Sequence, residues 1–308
     1  MRYAHRLFWI LALAVVSAAS VGRAGELPPL DPLPADSRWV ASLDVTAIRQ
    51  LLRDLKLWEA VAQAPANTPA GQFSRLLTDT DRLTLCGLDT RRETMVLVVR
   101  LAPDAPPWTP LVAARPGYAT HDMAGRTQHQ WRMQGDRTLH AVQVDRAVYV
   151  SSNPARLESA MAATAATAEA LQPAQRFAAW PTSLTGVLLV VAATDMQAFE
   201  ARGHSPGVAD LQALILTVSR RAGALTLSSR ATAVDPEKAQ QLLDVLQGSV
   251  SLGILSDRLP LPLRECLKSL RLNRHDAELQ VDGTWNLEQI AEAWRALAAP
   301  PATAEVAP

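Results

Sequence analysis

Ala41-Ser42-Leu43-Asp44-Val45-Thr46-Ala47-Ile48 aligns without a gap on Ala192-Ala193-Thr194-Asp195-Met196-Gln197-Ala198-Phe199. Both alanines and the aspartate are identical, and Val45 and Ile48 answer to Met196 and Phe199. In each stretch a short apolar run comes first, Trp39 to Leu43 and Val187 to Ala193, with the look of a buried strand. Helix-start chemistry follows, since an Asp or Thr side chain can cap the first free N–H groups of a helix. A chain that makes this strand-to-helix passage twice reads as two related α+β units.

The flanking sequence extends the match. After Asp44, the residues Val45, Ile48, Leu51, Leu52, Leu55, Trp58 and Val61 recur at three- and four-residue steps, the pattern of an amphipathic helix. Leu83 to Leu88 and Thr94 to Leu101 then read as a hairpin around Asp89-Thr90-Arg91-Arg92. In the second half, Leu211 to Val218 and Ala224 to Ala233 flank Arg220-Arg221 in the same way. Each half closes on a further hairpin and a helix. Leu139 to Val144 and Ala147 to Ser151 precede Asn153-Pro154, an Asn cap with Pro at the first helical position. Leu267 to Leu272 and Ala277 to Val281 precede a helix capped near Asn286.

The halves differ in the middle. The second has a helix from Asp235-Pro236 through Leu242, Leu243, Val245 and Leu246, where the first has a Pro-rich stretch, Pro103 to Pro116, followed by strands Tyr118 to Met123 and Gln128 to Met133. The second half thus runs β-α-β-β-α-β-β-α, whose first six elements have the order of a ferredoxin-like unit. The expected fold is α+β, two ferredoxin-like (βαββαβ-type) repeats with antiparallel sheets, the first repeat eroded. The expected boundaries are a signal peptide over 1–24, repeats over 25–165 and 181–298, an Ala/Thr/Pro-rich linker over 166–180 and a disordered tail over 299–308.

The N-terminus carries the targeting information. Met1 to Arg6 is basic, Leu7 to Ala19 is mostly apolar, and small residues run to Ala24, the basic-apolar-small order of a secretory signal. The apolar run is shorter than the roughly 20 residues that span a bilayer. Cleavage fits after Ala24 or Ser20, and an uncleaved anchor is the alternative. The expected location is periplasmic or extracellular, without an integral membrane segment once the signal is removed. The chain has 30 basic and 30 acidic side chains. Removing Arg2, Arg6 and Arg23 leaves 27 against 30, a net charge of −3. That balance argues against nucleic acid as a partner, which needs a basic surface. In an oxidising compartment Cys86 and Cys266 can form one disulfide, or stay as two separately buried thiols.

Several motifs suggest chemistry. Gly203-His204-Ser205-Pro206-Gly207 fits Gly-x-Ser-x-Gly, the nucleophile elbow of serine hydrolases, with Asp257 and His275 in the right order for a triad. The residue after the serine must give its N–H to the oxyanion hole, and Pro206 has none. A plain loop is the better reading. His121, His129 and His140 sit close in sequence but match no common zinc spacing, so they read as strand histidines rather than ligands. Asp44 and Asp195 are either a carboxylate pair for acid–base work or two helix caps. Arg91-Arg92 and Arg220-Arg221 are either an anion-binding patch or solvated turn charge. No phosphate-cradling Gly loop, dinucleotide fingerprint or His-Glu-x-x-His run is present, so no cofactor is expected.

The Leu33-Pro34-Ala35-Asp36 opening, the strand ending Asp44-Val45-Thr46-Ala47-Ile48, and Val148-Tyr149-Val150-Ser151-Ser152-Asn153-Pro154 resemble a broad group of uncharacterised exported bacterial proteins. Those proteins are built from two α+β repeats behind a signal peptide. The resemblance covers most of the chain after residue 24 and implies a fold and a compartment, with no catalytic residues to carry over. The expected function is a non-catalytic binding or structural module of the cell envelope that engages another envelope protein. A small-ligand carrier with its pocket between the halves, or a serine hydrolase using Ser205, is the alternative.

Overall fold

The computed structural model describes residues 30–63, 74, 76–123, 125–133, 137–165, 170–199, 210–257 and 259–298. At its middle is β1 (Trp39–Asp44), antiparallel both to β2 (Thr80–Gly87) and to β8 (Val187–Thr194). From β1 the sheet extends one way through β2, β3 (Met95–Leu101), β7 (Ala147–Ser151), β6 (Arg137–Val144), β5 (Arg126–Met133) and β4 (Ala119–Met123). The other way it runs through β8, β9 (Leu211–Arg221), β10 (Ala224–Ala233), β12 (Glu278–Asn286) and β11 (Arg271–His275). The result is one sheet of 12 strands.

The α+β class and the antiparallel sheet agree with the sequence reading, but the ferredoxin-like order does not. A split β-α-β unit holds its first two strands parallel with another between them. Here β1 and β2 are direct antiparallel neighbours, Trp39 opposite Gly87 and Asp44 opposite Arg82. Parallel pairing would need the intervening helix to cross back along the full strand. Instead α1 (Val45–Asp54) and α2 (Trp58–Ala62) turn near Lys56, whose φ is +56°, and the chain enters β2 beside the end of β1.

Alternation along the strands sorts side chains onto two faces. Val40, Cys86, Val96, Val98, Val142 and Tyr149 point to one face, here called the front. They pack under α4 (Pro154–Ala165) through Leu157, Ala160 and Met161. On the back, Leu43, Leu189, Val218, Leu225 and Trp285 pack against α1, α7 (Leu261–Lys268) and α8 (Leu287–Ala298). Further out on the back, α3 (Thr109–Ala113) covers Trp131 and Val148, and α6 (Pro236–Leu255) covers Ala233 and Leu279. Front positions of β10, β12 and β11 are polar, among them Thr226, Ser228, Arg230, Gln280 and Asn273, and none of the described core clusters includes them.

The halves mirror each other in strand order outward from the seam, β1-β2-β3-β7-β6 against β8-β9-β10-β12-β11. The residue match does not survive at that level. Val40 pairs with Ala192 and Ala41 with Val191, so Ala41 and Ala192 point to opposite faces. A rotation relating antiparallel neighbours keeps each residue on its own face, so the aligned residues are one position out of step. The closing helices differ too, α4 lying on the front and α8 on the back. The stretch 166–180, expected to be a linker, is partly built into the core. Leu171 and Phe177 are buried in the front cluster beside α5 (Pro173–Arg176), and Leu171 N–H donates to Leu33 O at 2.8 Å. Segments 1–24 and 299–308 lie outside the described residues. No described helix is long and apolar enough to cross a membrane.

Candidate functional site: an arginine-flanked cleft

At one end of the sheet, the β2–β3 connection, the start of β6 and the entry to α4 meet. The two-residue turn between β6 and β7 fixes part of this meeting. Counting back from the β6–β7 turn at Asp145-Arg146, Val144 faces Ala147 and His140 faces Ser151, so Thr138 and Ser152 arrive at the same end. The β2–β3 connection is held by Asp89. Its carboxylate accepts from Arg91 N–H at 2.7 Å, Arg91 Nε at 2.6 Å and Thr94 Oγ1 at 2.8 Å. Slight burial works against ionisation here, but those hydrogen bonds outweigh it and hold the Asp89 carboxyl below the usual range. With Arg91 engaged, Arg92 is left to project, and Ser152 Oγ fastens its backbone by donating to Arg92 O at 3.3 Å.

Arg92, Glu93, Arg137, Thr138 and Ser152 line an open cleft of about 420 Å³. Neither Arg92 nor Arg137 has an ion-pair partner among the described residues. The N-terminus of α4 follows directly on Ser152, with Asn153 Oδ1 accepting from Ala155 N–H at 3.0 Å. Its dipole adds partial positive charge at this end. Two guanidinium groups and the Thr138 hydroxyl, against one carboxylate, Glu93, suit the oxygens of an anion. The arrangement can hold and orient such a group.

Arg92 was visible in the sequence as part of an arginine pair; Arg137, Thr138 and Ser152 were not. Counting outward from Asp145-Arg146 would have brought Thr138 and Ser152 together. The second arginine pair is not at a turn. Arg220 and Arg221 end β9, and the turn is Ala222-Gly223. Arg220 is partly buried, 3.6 Å from Asp54, and desolvation, opposed by Asp54, lowers its pKa.

The other candidates are dispersed. Asp44 caps α1 by accepting from Ala47 N–H at 2.8 Å. Asp195 has φ +53° and pairs with Arg176 at 3.2 Å, and a short 3-10 turn follows it. Because β1 and β8 are antiparallel, Asp44 and Asp195 stand at opposite ends of the seam, about 20 Å apart at the usual rise per residue. They cannot share a substrate. His121 and His140 are on the front, while His129 is on the back, its Nδ1 2.9 Å from Tyr118 Oη. Burial lowers the pKa of His129 and of His140, the latter helped by His121. No cluster of three potential metal ligands occurs among the described residues. Ser205 lies outside the described residues, so the elbow and its triad stay at the level of sequence.

The disulfide considered for Cys86 and Cys266 is not formed. Cys86 is in the front cluster and Cys266 in the back one, with the sheet between them, and both thiols are free. Burial pushes each thiol up to about 11. Where a carrier would need a pocket between the halves, β1 and β8 are hydrogen-bonded from Trp39 to Leu43.

No family model matches the sequence, and no curated protein matches it. Among solved structures, crystal form III of TP0453 aligns with a TM-score of 0.45 at 10% identity, over 87% of this chain and 99% of that one. Crystal form IV of TP0453 gives 0.44 at 8%, over 85% and 96%. Crystal form I gives 0.38 at 11%, over 92% and 100%.

Proposed function

We propose that the protein is a non-catalytic binding module of the cell envelope, and that the Arg92–Arg137 cleft holds an anionic group of another envelope component. The observation that carries this reading is the pair of arginines without described ion-pair partners, facing a cleft with the Thr138 hydroxyl beside a helix N-terminus. Such a site offers charge-assisted hydrogen bonds to phosphate or carboxylate oxygens. The envelope assignment rests on the basic-apolar-small order of residues 1–24. The carrier reading draws on the same cleft, because about 420 Å³ is within the range of small-molecule sites.

Titration with inorganic phosphate, followed through the amide resonances of Arg92, Thr138 and Ser152, tests the site. Saturation near about 1 mM is expected for a single anionic group. The Arg92→Gln, Arg137→Gln double variant should lose at least about tenfold in affinity. Amides that do not move, or a double variant that binds as well, would remove the reading. Micromolar binding of a free anion would favour the carrier.

A further inference from the structure

α6 is 20 residues long, but its buried residues, Ala239 and Leu243, are confined to its first half. Beyond them the helix presents apolar side chains to solvent. Val245 is 63% exposed, Leu246 38%, Leu252 71% and Leu255 76%, and Leu261 at the start of α7 is 60% exposed. Val245, Gly248, Leu252 and Leu255 follow one another at steps of three, four and three, the spacing of the contact seam in a helix pair. From Val245 to Ser256 there is no ionisable side chain.

The two glycines of this stretch differ. A glycine inside a helix weakens it relative to alanine, so each asks for a packing reason. Gly253 has one within the chain, since a Cβ there would stand 2.7 Å from Leu267 Cδ1 of α7. At Gly248 a Cβ would meet nothing within 4 Å. The chain leaves a notch in the middle of an apolar seam and puts nothing of the described residues into it.

We infer that this face binds a second copy of the chain, α6 against α6 about a twofold axis, with leucines of each copy entering the Gly248 notch of the other. A twofold contact uses one patch twice and needs only self-complementarity, and an uncharged seam brings no like charges together. A lipid surface fits less well. Helices that lie in a membrane interface carry Lys or Arg on the polar face and Trp or Phe on the apolar one, and residues 245–256 have none of these. At these fractional exposures Val245, Leu246, Leu252, Leu255 and Leu261 together present roughly a few hundred Å² of apolar surface, the order of patch that marks interaction sites. Counted on both copies it approaches the roughly 1,000 Å² at which specific interfaces begin.

Sedimentation equilibrium of the full chain is the test. A reversible monomer–dimer equilibrium with a dissociation constant on the order of micromolar is expected. The Leu252→Asn, Leu255→Asn variant should weaken it at least about tenfold with an unchanged circular dichroism spectrum, because both side chains are mostly solvated in the monomer. Gly248→Leu gives a second readout. It favours the isolated helix but fills the notch, so it should abolish the dimer without lowering the Tm read at concentrations where the parent is monomeric. A chain that stays monomeric up to about 200 µM overturns the inference. So does a dimer that persists in both variants, or a monomer that floats with neutral phosphatidylcholine vesicles.

Discussion

Asp44 performs a task that its surroundings resist. Its carboxylate caps α1, yet the residue is 6% exposed, and desolvation raises its pKa above the usual carboxylate range despite the Ala47 N–H and the charge of Arg82 on the neighbouring strand. A carboxyl with a higher pKa folded than unfolded contributes stability that is fully present below the unfolded value and lost as pH rises through the folded one. Asn keeps the capping oxygen without the charge. The stability of Asp44→Asn relative to the parent should therefore move in the variant's favour between about pH 3 and pH 7 in urea unfolding series. A difference that stays flat with pH would show that Asp44 is not strained. The cap itself was legible, because Asp before an amphipathic run is a local signal. Its opposite number was less legible: Asp195 stands in equivalent sequence, but its pairing with Arg176, 19 residues away, is a contact that no window of eight residues contains.

Among the elements, the hairpins were the most legible. Expected strands at Ala224 to Ala233, Leu139 to Val144 and Ala147 to Ser151 agree with β10, β6 and β7, because alternation and short turns are encoded locally. Turn position was harder. The sequence points to Arg220-Arg221 as the β9–β10 turn, but the turning residues are Ala222 at φ +48° and Gly223 at φ +78°, the two left-handed positions of a tight hairpin. Gly223 accepts that conformation freely, whereas an alanine pays a steric cost that asparagine largely avoids. Ala222→Asn should stabilise the protein by about 0.5–1 kcal/mol, read as a higher urea midpoint at constant m. An unchanged or lower midpoint would mean that Ala222 makes compensating contacts.

For the whole molecule, the sheet order was out of reach of the sequence, since which strand lies beside which depends on contacts far apart in the chain. The seam shows this most clearly. Trp39–Leu43 pairs with Leu189–Ala193, and the back cluster joins Val45, Ile48 and Leu51 of the first half to Leu188, Val218 and Trp285 of the second. The cleft was half legible for a related reason: Arg92 is in a recognisable turn, but its companions come from a hairpin and a helix start elsewhere. With the ladder and the core shared across the seam, calorimetry should show a single cooperative transition whose van't Hoff and calorimetric enthalpies agree. Two separable transitions, one for each half, would contradict a shared core.

The sheet also has a geometry that its strand list conceals. Neighbouring strands normally turn by about 20–25° relative to one another, and 12 strands contain eleven such steps. Summed from β4 to β11, the rotation is more than half a revolution. What is front at the cleft therefore looks in a different direction from what is front on the polar strands β10 to β12. A sheet carrying the usual twist over this many strands is a propeller-like ribbon, against which a flat partner can lie along only one stretch at a time.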